Sequence, residues 1–247
     1  MTLDKSSGAI SGTPTKAASA SVTITAPPQG TTTKNQQTFT LTIHKGAADL
    51  GTLKVTNGGT KTTTFTYGDT ITVSGTIKAS GTAPQANTLA APGKNQAALL
   101  LGGTQLTDPV AVAGNGSFTI SYKTSEKGIQ TTGQAQILTV KYGGSDDLNE
   151  GSAACSITLN PKKVQAEVDG AITKPFDQTA KAHVTLKLAE GALVNSSDDV
   201  TVSAPDAAYE KTDVGNDIAI NLGTLQVDGN DKSFYQVIAP RRREGGD

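Results

Sequence analysis

The chain is poor in the residues that usually carry chemistry or covalent support. Of its 247 residues one is cysteine, Cys155, two are histidine, and none is tryptophan. A single cysteine forbids an intrachain disulfide. A eukaryotic secreted β-protein of this size would often carry several, so the lack suits the cytosol or a bacterial surface protein. Aromatic residues make up 4% of the chain and charged residues 17%, against about 25% charged in an ordinary globular domain. The formal net charge is −1, which gives no field to draw in nucleic acid or anionic lipid. The only basic run, Arg241-Arg242-Arg243, reads as a solvated end. No apolar run approaches the ~20 residues that cross a bilayer, so direct membrane insertion is not expected. No charged-then-apolar leader opens the chain. If the protein is exported, its signal and any anchor lie outside this segment.

What is present is threonine, the commonest residue, and alternation with a period of two. Phe39, Leu41 and Ile43 alternate with threonines, and Ile71, Val73 and Ile77 keep one phase across Gly75. Phe118/Ile120/Tyr122, Leu138/Val140/Tyr142 and Ala153/Cys155/Ile157/Leu159 follow. Val184/Leu186/Leu188 and Ile218/Ile220/Leu222 close the series. Successive strand side chains point to opposite faces, so each stripe predicts one buried face. Threonine suits the outer face, because β-branched residues pack well on a pleated surface. No stretch has a helical period. Ala86 to Leu101, broken by Pro92-Gly93, reads as a loop entering a strand. Turn signals such as Asn57-Gly58-Gly59, Gly114-Asn115-Gly116 and Asp228-Gly229-Asn230-Asp231 separate the strands. The expected fold is all-β: tandem Ig-like antiparallel β-sandwich domains.

The pattern breaks at His44-Lys45-Gly46, at Asn160-Pro161-Lys162 and at Ala239-Pro240. These breaks predict blocks at 1–46, 47–161 and 162–240, with 241–247 a tail lacking a strand pattern. Leu3-Asp4, Gly8 to Thr15 (GAISGTPT) and the stripes 21–26 and 37–43 resemble the second half of a putative-Ig, cadherin-like repeat of bacterial surface proteins. Tyr67-Gly68-Asp69, Gly102-Gly103-Thr104, Ser117 to Tyr122 and Leu138 to Asp147 resemble a bacterial Ig-like repeat. Lys174 to Ala180 (KPFDQTA), Asp198-Asp199-Val200 and Asp228 to Asp231 resemble the YDG-type repeat, although Phe176 and Gln178 stand where that family has Tyr and Gly. These resemblances imply extracellular repeats on a bacterial cell surface, with neighbouring repeats of the same protein as partners. None brings a catalytic set with it.

The residues agree that an enzyme is not expected. There is no nucleophile elbow, zincin helix or phosphate loop. His44 and His183 read as rim residues, and Cys155 as a small inward hydrophobe. Acidic turns are the first candidate site: Asp146-Asp147, Asp198-Asp199, and Asp228 with Asp231. Loop carboxylates are the oxygen ligands calcium takes, while Asp is equally a default turn former; no other cofactor is expected. A self-formed Lys–Asn or Lys–Asp crosslink is a second candidate; it needs a lysine and an amide or carboxylate meeting in an apolar core beside a second acid, where burial leaves the amine neutral. Lys141 and Lys187 fall on outer phases and Lys174 lies beside a strand, so all three read as solvated. Phe65, Tyr67 and Tyr209 are the aromatics to check for an exposed binding face, with a glycan or a host protein as the partner. The functional expectation is a non-catalytic extracellular stalk that projects distal domains. The alternatives are a glycan- or host-protein-binding module, or an accessory module of a surface carbohydrate-active enzyme.

Overall fold

A computed structural model describes residues 2–26, 35–80, 94–216 and 218–240. The predicted tail 241–247 lies outside the described residues, as does the first part of the Ala86–Leu101 loop. The fold is all-β and sandwich-type, built from antiparallel sheets with two parallel pairs. Among the described residues there is no α-helix, only single 3-10 turns at Thr124–Glu126 and Lys232–Phe234. The chain divides into two compact units. The first comprises residues 1–55, 72–121 and 137–155, and the second 56–71, 122–136 and 156–247.

In the first unit the period-two stripes behave as strand faces. Strand Gln96–Leu101 pairs antiparallel with Ala135–Tyr142 and sets Ala97 opposite Tyr142, Leu99 opposite Val140 and Leu101 opposite Leu138. Leu99, Leu138, Val140 and Tyr142 are wholly buried. Cross-strand pairs of this kind stabilise a sheet face by direct contact. Burying Tyr142 requires a partner for its hydroxyl. The hydroxyl donates to Asn95 Oδ1 at 2.9 Å, and Asn95 Nδ2 donates to the Val112 carbonyl, so this buried amide is used at both ends. Strand Ala18–Ala26 pairs antiparallel with Asn35–Ile43, with Val22 opposite Phe39. The apolar residues of this pair are only half-buried. Its Ala18/Ile43 end is tied down, since the Ala17 N–H donates to Asp147 Oδ1 at 2.9 Å and the Gly46 N–H to the Asp147 carbonyl at 2.9 Å.

The second unit is built around strand Lys162–Val168. That strand pairs parallel with Tyr235–Ile238 and antiparallel with Leu186–Leu188. Its inward residues join a core of Tyr67, Val164, Val200, Phe234 and Tyr235, against which Leu188, Leu193 and Val237 pack. A smaller core of Ala182, Ala204 and Ala207 sits under Tyr209, Ile220 and Leu225. Small alanines leave room for those larger neighbours. The stripe Ile218/Ile220/Leu222 yields a strand of only two residues, Ile220–Asn221, paired with Ala208–Tyr209.

Gly116 shows how tightly the first unit closes. Its φ is +82°, and a Cβ there would lie 2.1 Å from the Ile77 carbonyl oxygen. Gly102 also has positive φ, +57°, but faces open space. Gly116→Ala should therefore cost clearly more than Gly102→Ala, the latter about 1 kcal/mol and the former about 3 kcal/mol. Urea unfolding of both variants measures this, and equal losses would show that the Gly116–Ile77 approach is slack.

Candidate functional site

The second unit holds a buried carboxylate that gathers donors from four segments of chain. It begins in a turn. Asn195 and Asp198 face each other across Asn195-Ser196-Ser197-Asp198, with the Asp198 N–H on the Asn195 carbonyl at 3.1 Å. The Asn195 N–H returns to Asp198 Oδ2 at 3.3 Å, and Asn195 Nδ2 reaches Oδ1 at 3.2 Å. Asp and Asn side chains make such local closures readily. Two residues on, and so on the same face, Val200 enters the core, which draws Asp198 inward; the Asp198 side chain has no exposed surface.

Buried charge demands partners. Tyr67 Oη donates to Asp198 Oδ2 at 3.0 Å, and Tyr235 Oη donates to the same oxygen. The Tyr235 hydroxyl in turn accepts the Val194 N–H at 2.7 Å. Lys127 Nζ lies 2.8 Å from Asp198 Oδ1 and 2.7 Å from Asp231 Oδ1. Asp231 Oδ2 accepts the Asp199 N–H at 2.9 Å. The rings close the site on its apolar side, with Tyr67 and Phe234 centroids 4.8 Å apart and Tyr67 and Tyr235 edge to face at 5.3 Å. Lys127 reaches this place because it ends the 3-10 turn Thr124–Glu126 in the left-handed region, at φ +61°. Thr124 anchors that turn: its hydroxyl donates to the Asp69 carbonyl and accepts the Gly68 N–H.

The electrostatics follow from these contacts. Desolvation alone would raise the Asp198 carboxyl. The Lys127 ammonium, the Tyr235 hydroxyl, the Asn195 amide and the Tyr67 hydroxyl outweigh it and hold the carboxyl at about 2. Hydrogen bonds from Lys127 and from the Asp199 N–H also lower Asp231. The two carboxylates raise Lys127. Desolvation and then the hydrogen bond each makes to Asp198 push both tyrosines well above their ordinary value.

The sequence candidates fall in different places. Asp198 and Asp231 are brought together, but the cation between them is the Lys127 ammonium. Calcium takes six to eight oxygens, and this slot presents two carboxylates already committed to an amine, so the calcium reading of the pair is corrected. Asp199 Oδ2 accepts the Asn230 N–H at 3.0 Å, and Asp228 pairs with Lys232 at 3.3 Å. Asp146 pairs with Lys94 at 3.2 Å, and Asp147 accepts the Ala17 N–H. Among the described residues no group of three or more His, Cys, Asp or Glu side chains is placed to hold a metal ion. Phe65 and Tyr67 are buried in the core and present no ring face to a ligand, which corrects their reading as binding aromatics. Phe65 points inward between Thr64 and Thr66, and the Tyr67 hydroxyl is committed to Asp198.

Tyr209 is half-buried beneath Lys174, whose Nζ lies 5.8 Å from the ring centroid. It lines a groove of about 710 Å³ with Ile172, Phe176, Lys211, Asp213 and Val214. Phe176 is 62% exposed and Val214 82%. Lys141 and Lys187 make exposed pairs with Glu150 and Asp169. The sequence gives no sign of Lys127, the half-buried lysine that contacts two carboxylates. It stands in a Ser-Glu-Lys-Gly turn that looks like any solvated loop.

The fold and these contacts define an all-β protein. A family model of the YDG domain matches residues 160–242. No curated protein and no solved structure matches the chain.

The Asp198 carboxyl titrates at about 2 in the folded chain, below its ordinary value of 3.8. Its contribution is therefore complete above about pH 4 and is lost as the pH falls toward 2. Asp198→Asn should lower neutral-pH stability by about 1–3 kcal/mol, because it removes the charged acceptor of two buried tyrosine hydroxyls while Lys127 keeps Asp231. It should also flatten the decline in melting temperature between pH 4 and 2. A variant that keeps the wild-type acid limb would place that titration elsewhere.

Proposed function

We propose that this chain is a non-catalytic structural and adhesion module of a bacterial surface protein, exposed outside the cell and serving as a stalk that projects further domains. The composition supports this reading: a single cysteine, threonine-covered strands and a chain read as consecutive β-blocks. The YDG match at 160–242 supports a repeat-type domain at the C-terminal end. The observation that carries the reading is a short connection within the second unit, at the start of the YDG match. Pro161 is the one residue between strands Gly151–Asn160 and Lys162–Val168. Beside it, the Tyr67 N–H donates to the Asn160 carbonyl at 2.9 Å. The Asp198 cluster then fastens the 66–69 and 124–127 turns to the domain core. A stalk needs a join that resists bending, and a one-residue connection braced by buried polar contacts supplies it. The partners in this reading are neighbouring repeats.

A second reading is favoured by one observation, the groove at Phe176 and Val214. Exposed apolar side chains beside Lys211 and Asp213 suit a glycan or a host protein, and the chain would then be a binding module.

Two measurements test the stalk. An antibody raised against the chain should label intact cells of the source organism; labelling only after permeabilisation would refute an exposed location. Single molecules pulled from their ends should unfold the second unit as one event at a force that drops several-fold in Lys127→Ala, since forced unfolding reads the unfolding barrier. A force unmoved by that substitution would remove the bracing role. Saturable binding to a glycan array that Phe176→Ala abolishes would favour the second reading.

A further inference from the structure

We propose that Lys127 and Asp198 form an intramolecular amide crosslink, with Asp231 as the proton carrier. The observation is the joint geometry. One amine contacts two carboxylates, at 2.8 and 2.7 Å. One of those carboxylates is fully enclosed, while the Lys127 side chain is 29% exposed. The enclosed carboxylate also has its far oxygen, Oδ2, under three donors: the hydroxyls of Tyr67 and Tyr235 and the N–H of Asn195. An ordinary surface ion pair has none of this. Its ends part and re-form, water competes at the carboxyl carbon, and no donors wait for a developing oxyanion. Here the reacting groups are held in contact, which replaces a bimolecular encounter by a positioned one. The donors on Oδ2 stand where negative charge would develop.

The step balances within the cluster. One Nζ proton passes to Asp198 Oδ1, turning the ion pair into a neutral amine and a neutral acid. The amine lone pair attacks Cγ, and the carbonyl electron pair moves onto Oδ2 beneath its three donors. Asp231 takes a second proton from nitrogen and delivers it to the Oδ1 hydroxyl. The Oδ2 pair re-forms the carbonyl, the Cγ–Oδ1 bond breaks, and Oδ1 leaves as water. Of the three ammonium protons, one stays on the amide nitrogen and two leave in the water; Asp231 is returned unchanged. The opposite charges of Lys127 and Asp198 are consumed together, and no oxidant or other reagent is needed. The first proton transfer is uphill, because the two carboxylates hold the amine in its charged form. The reaction is therefore slow, but each molecule needs it once. In the product the new amide carbonyl keeps the Tyr67, Tyr235 and Asn195 donors. The link would do for a chain with one cysteine what a disulfide does elsewhere.

The test is the intact mass of the full chain after prolonged incubation at neutral pH, followed by peptide mapping. The expected result is a mass one water below the sequence mass and a branched peptide joining Lys127 to Asp198. Lys127→Arg keeps the charge but cannot form this link, and Asp231→Asn keeps the shape but cannot carry the proton. Both should retain the full mass while folded by circular dichroism. Full sequence mass in the wild-type chain overturns the proposal. So does a water loss that maps to Asp228-Gly229 or Asp169-Gly170, where backbone cyclisation gives the same mass.

Discussion

The second unit depends on one carboxylate out of reach of water. Asp198 lies beneath two tyrosine rings, and a charge there is tolerated only if every lone pair is used. Lys127, Tyr67, Tyr235 and Asn195 use them. Each partner comes from a segment with little local reason to be ordered. Tyr67 sits at a Tyr-Gly-Asp turn and Lys127 at the end of a single 3-10 turn. Asn195 lies in a serine-rich loop, and Tyr235 follows another single turn. The requirement to satisfy one buried charge fixes four loops that strand propensity leaves loose.

That requirement also explains how the unit manages with a modest core. Its strands are short, its second cluster is built on alanines, and its surface carries Phe176 and Val214 in the open. A polar network in a low-dielectric site is costly if incomplete and rigid if complete. The first unit solves the same problem differently. It relies on long antiparallel ladders, in which Leu99 against Val140 and Ala97 against Tyr142 bury apolar area directly, and the buried Tyr142 hydroxyl is satisfied by Asn95, which also reaches the Val112 carbonyl. Strands such as Leu138/Val140/Tyr142 can be read from the sequence because period-two alternation is a local signal that burial enforces. Phe65 obeys the same rule, yet its two threonine neighbours disguise it as a surface residue. Tyr67 and Lys127 cannot be read that way. Both sit at turns, where the sequence signals exposure, and only the long-range demand of Asp198 draws them inward. Of the pair Asp198-Asp199, one side chain is enclosed and the other faces solvent, and nothing local distinguishes them.

In functional terms, a stalk is a problem of joints rather than of domains. The proposed role rests on a one-residue connection at Pro161 and on the braced turns beside it. The groove at Tyr209 is a separate surface feature, formed by the segments that the strand pattern organises least.

Backbone amide exchange reads the ordering of these loops residue by residue. The Val194 N–H, which donates to Tyr235 Oη, and the Gly68 N–H, which donates to Thr124 Oγ1, both lie in loops. If the Asp198 network orders those loops, both amides exchange as slowly as Val164 and Ala166 in the central strand, through the same opening of the whole unit. Exchange of Val194 and Gly68 at the rate of free peptide, with the strand still protected, would show that the Asp198 network does not order these loops.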